Sequence, residues 1–147
     1  MSEVSAEISI DADLKEVWDV FFDVHRWPSW VDGFDSVLNE VGYPEAGGNL
    51  RWRSIPAGRG EVSERVLAHE PRRLHKIAFS DPESSGELAT TFEIAGKRVI
   101  VRRTMSYEIN RGGTFTWLAD VFFVRRQVTV ALQRELSGLK REAESDV

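Results

Sequence analysis

The sequence contains no cysteine, which removes a disulfide framework, a thiolate nucleophile and any Cys-ligated metal site. Histidine is scarce: His25, His69 and His75 are scattered and show no metal-ligand spacing, so neither a metal nor an organic cofactor is expected. No Gly-x-Ser-x-Gly elbow is present, and Ser84-Ser85-Gly86 reads as a polar loop, which leaves nucleophilic catalysis with little support. Gly58-Arg59-Gly60 lacks the third glycine of a phosphate loop and stands in a hairpin context. Long apolar runs are missing too. None approaches the roughly 18 residues of a membrane span, and the first ten residues alternate and are acidic, unlike a targeting segment. A cytoplasmic protein without membrane insertion is the expectation. Positive charge is not in excess: the formal net charge is −5, which argues against nucleic acid or an anionic membrane as partner. The basic pairs Lys97-Arg98 and Arg102-Arg103 lie in a strand pattern without interleaved aromatics.

What is present points to one domain spanning residues 1–147, long enough to bury a substantial core. The organising stretch runs from about residue 115 to 143. At 100° per residue Leu118, Val121, Phe122, Val128, Leu132, Leu136, Leu139 and Ala143 share one face of a long helix. Asp120, Gln127, Arg134, Gly138 and Arg141 fall opposite. Arg125 interrupts the apolar face, so its guanidinium must meet a buried partner or a polar cavity, or snorkel past its neighbours to water.

The preceding chain must wrap this helix, and it reads mostly as strands. Val4, Ala6, Ile8 and Ile10 alternate with polar residues, as in a half-buried strand. Asp13 opens a helix with Glu16 as capping-box partner, and Leu14, Val17, Trp18 and Phe21 form its inner face. Trp27-Pro28-Ser29-Trp30 predicts a second short helix or turn with at least one tryptophan lining a core or cavity. Six further strands follow: Phe34 to Val41, then runs around Trp52, Val62 to Ala68, Leu74 to Phe79, Leu88 to Ile94 and Val99 to Ile109. Short connections imply antiparallel neighbours. The fold class is α+β: a curved seven-stranded antiparallel sheet wrapped around a long C-terminal helix, with two short helices after strand 1. Such a sheet cannot pack tightly on one helix along its whole length, and the gap is a natural cavity.

Val17-Trp18-Asp19-Val20, Asp23-Val24 and Trp27-Pro28, preceded by Ile10-Asp11-Ala12, resemble the opening of the START-like (SRPBCC) superfamily. The resemblance is greatest to its polyketide cyclase/dehydrase and lipid-transport group. It extends through Gly48, Val66 before Glu70-Pro71, and the terminal Leu136 to Lys140 helix, covering nearly the whole chain. It implies a helix-grip fold with a deep pocket beneath the long helix, in a superfamily of lipid carriers, aromatases and chaperone cofactors.

Strand parity directs Trp52, Glu64, Phe92, Arg103, Met105 and Tyr107 towards the helix, while Trp30, Phe34, Val121, Phe122, Arg125 and Val128 close the ends. These residues compose an apolar chamber with a few polar groups. Against this stands a solid aromatic core in which Glu64 pairs structurally with Arg103 or Arg125. Where cyclases of the resembled group carry a Tyr, after the Trp-Pro turn, this chain has Phe34; where they carry an Arg, near the end of the fourth strand, it has His69. The sequence therefore favours a binder of a hydrophobic, lipid- or polyketide-like small molecule with an acidic or polar end, and no catalytic residue is assigned. One alternative is a cyclase/aromatase-like enzyme using Arg103, Glu64 and Tyr107. Another is an interaction module in which Phe123 and Val130 form a homodimer or partner patch.

Overall fold

The computed structural model describes residues 2–110 and 117–145. The chain runs β1 (Ser2–Ile10), α1 (Leu14–Phe22), a 3-10 turn (Val24–Arg26), α2 (Trp27–Trp30), β2 (Phe34–Val41), β3 (Asn49–Ser54), β4 (Glu61–Glu70), β5 (Leu74–Ser80), β6 (Ser84–Ala95), β7 (Arg98–Ile109) and α3 (Trp117–Ser145). The strands form a single sheet in the order β1-β7-β6-β5-β4-β3-β2, with every neighbouring pair antiparallel. Sheet and helix make the sheet-around-helix arrangement that the periodicities imply, the helix-grip fold implied by the family resemblance. Among the described residues no helix is long and apolar enough to cross a membrane.

Several local details differ from expectation. Asp13 is the N-cap of α1, but its side chain makes no capping hydrogen bond, so the Asp13–Glu16 box does not form. Ser84-Ser85-Gly86 is the start of β6 rather than a loop. Gly86 faces Tyr107 across the ladder, and a Cβ there would run into the backbone of Ser106 and Tyr107. Glycine is thus required by close strand approach, not by a turn. Residues 111–116, on which the turn expected at 110–113 and the extension expected at 114–117 mostly fall, and the Leu118 and Asp120 side chains lie outside what the structure describes.

α3 packs against β1, α1 and α2. Leu132, Leu136, Leu139 and Ala143 are buried, as the stripe requires. Gly138, placed by periodicity on the polar side, is also buried, and a Cβ there would stand 2.8 Å from Trp30 Cβ. The missing side chain lets the helix approach α2. At its C-terminal end α3 is tied to β1: Lys140 Nζ donates to the Ser9 carbonyl at 2.9 Å, and Glu144 accepts the Asp11 N–H at 2.8 Å.

The interior divides into two apolar clusters. One joins α1, α2 and α3 to the sheet around Phe21, Trp27, Trp30, Trp52, Leu136 and Leu139. The other joins Val66, Ile77, Phe79, Leu88, Tyr107 and Leu132. The gap between them positions the site.

Candidate functional site

A cavity of about 170 Å³ lies where the two clusters meet, walled by residues from both, including Trp30, Trp52, Phe79, Leu88, Tyr107 and Leu132. Six of its lining residues, Asp32, Arg59, Ser84, Ile109, Val128 and Ala131, also line a groove of about 590 Å³ beside α3, so the cavity continues outward there.

Strand alternation supplies most of the wall. On β3, Leu50 and Trp52 point inward; on β4, Val62, Glu64 and Val66 share that face; on β7, Val99, Val101, Arg103 and Tyr107 do. Of the residues expected to form the chamber, Trp30, Trp52, Glu64, Arg103, Met105, Tyr107 and Val128 line it. Phe34 and Phe92 are buried in the first cluster, and Val121 is half-buried on α3; these three do not line the cavity. Phe122 and Arg125 are corrections. Phe122 is 67% exposed and Arg125 is exposed, because the inner edge of α3 at this height is Val124 and Val128, which pack on the second cluster. Arg125 is one residue, about 100°, away from that edge. Phe123 and Val130 lie outside as well, at 60% and 39% exposure.

The buried charge on α3 is Glu135. Its carboxylate accepts from Arg103 Nη1 at 2.7 Å and from the Asp32 backbone N–H at 3.0 Å. Arg103 Nε donates in turn to Thr90 Oγ1 at 3.1 Å. The expected ion pair of Glu64 with Arg103 or Arg125 is therefore replaced by Arg103–Glu135. Glu64 instead accepts from Trp52 Nε1 at 2.8 Å. Burial raises the pKa of both Glu64 and Glu135, outweighing the opposing pull of the Trp52 hydrogen bond and Arg103 on the former and of Arg103 on the latter.

Tyr43 and His75 also line the cavity, and with His69 they form a group of three that spacing left scattered. His69 and His75 are cross-strand partners, with Nδ1 atoms 3.1 Å apart, and Tyr43 Oη lies 3.5 Å from His75 Nε2. Two facing imidazole nitrogens at this distance share one hydrogen, so one ring donates and the other accepts. Burial first, then the neighbouring His69 and Arg103, lower the His75 pKa to about 3. Burial also pushes the Tyr43 phenol well above its ordinary value, with Glu64 adding to the shift. The pair does not extend to a metal set: among the described residues no group of three or more His, Asp or Glu could hold an ion.

The three inner tryptophans differ in one respect. Trp27 Nε1 donates to the Phe21 carbonyl at 2.9 Å and Trp52 Nε1 to Glu64. Trp30 Nε1 is buried without a hydrogen-bond partner among the described residues, and Trp30 lines the cavity.

The fold has counterparts among known proteins. Similar solved structures include the Zhui aromatase/cyclase from Streptomyces sp. R1128, with a TM-score of 0.79 and 15% identity over 97% of this chain and 93% of that one. A START superfamily protein from Mycobacterium smegmatis aligns with a TM-score of 0.74 and 10% identity over 99% of each chain. Truncated norcoclaurine synthase from Thalictrum flavum gives a TM-score of 0.69 and 14% identity over 95% of this chain and 91% of that one. At these identities the likeness is one of fold. No curated protein matches the sequence. The model of the family described as polyketide cyclase/dehydrase and lipid transport matches residues 1–144. The chain belongs to the polyketide cyclase/dehydrase and lipid transport family.

Proposed function

We propose that residues 1–147 act as one ligand-binding unit that takes a small, largely apolar molecule with a polar end into the cavity beneath α3. The observation that carries this is a mostly apolar, aromatic-walled cavity with a buried N–H left without a partner, that of Trp30. An unsatisfied buried donor costs about 1–3 kcal/mol, and a ligand acceptor relieves it. Size narrows the class. An apolar cavity of ~150 Å³ holds benzene, so about 170 Å³ suits one ring, with any longer lipid- or polyketide-like part lying in the groove beside Ile109 and Ala131. Native mass spectrometry of the purified protein, followed by titration with propylbenzene, tests this reading. Saturable one-to-one binding is expected, and its absence overturns it.

A cyclase-like enzyme is the second reading, favoured by Glu64. A carboxyl on a cavity wall whose pKa is raised by burial is suited to exchange protons with a bound enol or carbonyl. Arg103, clamped by Glu135 and Thr90, supplies fixed positive charge on the same cavity. Product formed from an aromatic-precursor polyketone, and lost in Glu64→Gln, supports turnover; bound substrate recovered unchanged supports carriage alone.

A further inference from the structure

We infer that the polar end of the bound molecule is a hydrogen-bond donor, an amine or a hydroxyl, seated on the Glu64 carboxylate, and that a ligand ending in a carboxylate is excluded. This rests on the reading that the cavity is a binding site and specifies its chemistry.

Charge partners set the chemistry of the cavity. Arg103 is paired with Glu135 at 2.7 Å, Arg59 with Asp81 at 2.8 Å, and Asp32 with Arg134 at 2.9 Å. Each of these charged cavity residues thus has a counter-ion. Glu64 has none within ion-pair distance among the described residues, and its one hydrogen bond comes from a neutral donor, the Trp52 indole. A carboxylate offers about four acceptor positions, so most of Glu64's capacity is unused. Its surroundings do not make good the deficit. Val62 and Val66 flank it on the same face of β4, and Leu50 and Phe79 are its cross-strand partners. Arg103 and Arg59 act on it only from a distance, and burial prevails over them.

A ligand N–H or O–H directed at Glu64 satisfies an acceptor that the protein leaves open. A ligand carboxylate meets the opposite environment. The cavity wall already carries three acidic side chains, Asp32, Glu64 and Glu135, and its best cation, Arg103, is taken by the last. A further carboxylate adds like-charge repulsion and a desolvation cost that no free guanidinium offsets. The unpartnered Trp30 N–H on the same cavity favours a group that also accepts, as a hydroxyl does. Arg125, which the sequence placed on the apolar face of the helix, is exposed and supplies no cation to the cavity.

The test uses four compounds of one shape, 3-phenylpropylamine, 3-phenylpropan-1-ol, 3-phenylpropionate and propylbenzene, titrated calorimetrically at neutral pH into the wild type and Glu64→Gln. In the wild type the amine and the alcohol bind at least about tenfold tighter than the carboxylate, a difference of about 1.4 kcal/mol; either order between those two supports the inference. In Glu64→Gln the gap closes to about twofold or less. If Glu64→Gln does not fold by circular dichroism, Glu64→Asp, with its carboxyl drawn back by one methylene, narrows the gap instead. A carboxylate that binds as tightly as the donors, or a gap that survives in the variant, overturns the inference. If propylbenzene binds and the polar compounds show no selectivity, the inference fails while the binding reading stands. If none of the four binds, both fail.

Discussion

The Arg103 guanidinium on β7 and the Glu135 carboxylate on α3 meet at 2.7 Å with side-chain exposures of 9% and 13%. This contact ties the sheet to the helix that covers it. Asp32, whose N–H reaches the same carboxylate, adds the α2–β2 connection to the junction. Removing one member of such a pair leaves the other charge buried alone. Arg103→Met or Glu135→Leu should each cost about 3–5 kcal/mol in urea unfolding, whereas the double variant should return to within a few kcal/mol of the wild type, or exceed it. Additive losses in the double variant would contradict a coupled pair.

Stability should depend on pH through His75. Its folded pKa of about 3 lies below the ordinary 6.5, so the unfolded chain takes up a proton that the folded chain refuses. The contribution is fully present above pH 6.5 and declines as pH falls towards 3, at up to about 1.4 kcal/mol per unit. Glu64 and Glu135, with raised folded pKa values, act in the opposite sense above the usual carboxylate range. The measurement is therefore a difference: between pH 6.5 and 3 the wild type should lose stability relative to His75→Phe. A constant difference would contradict the assignment.

Gly138→Ala sets helix propensity against packing. Alanine in a helix interior is favoured over glycine by about 1 kcal/mol, but its Cβ would stand 2.8 Å from Trp30 Cβ. Overpacking costs about 1–3 kcal/mol, so the variant should melt lower than the wild type, and a higher melting temperature would show that α2 yields easily.

Arg125→Leu should alter neither melting nor ligand affinity beyond about 0.5 kcal/mol, the usual range for an exposed substitution. A loss of affinity would return this residue to the site.

The strands were legible from the sequence because period-2 alternation needs no long extrapolation. Trp52, Glu64, Arg103 and Tyr107 face inward as parity implies. His69 escaped because a register shift between Val66 and Ala68 reverses the parity of β4, turning His69 rather than Ala68 towards His75, Trp18 and Phe22. A bulge leaves little trace in composition. On α3 the error arose at 121–124, where Val-Phe-Phe-Val is apolar on every side and carries no phase. Counting back from Val128 by three or four residues reaches either Arg125 or Val124, and burial selects Val124. Glu135 could have been found: it stands three residues after Leu132 and four before Leu139, a spacing that places it beside the buried stripe. Tyr43 lies between Gly42 and Pro44, turn residues that suggest exposure, yet its ring packs edge-on against Trp27 and His75. That contact depends on how β2 and β3 return over the core, which no local pattern encodes.

If the cavity beneath α3 is the binding site, filling it with a side chain should weaken or abolish binding. Ala131 lines the cavity from the helix and is half-buried, so Ala131→Phe places a ring in the space a ligand needs. Calorimetric titration of propylbenzene into wild type and variant should give saturable one-to-one binding in the first and at least about tenfold weaker binding in the second, equivalent to about 1.4 kcal/mol, with cooperative unfolding retained in both. Equal binding by the two proteins would place the ligand elsewhere and contradict the account.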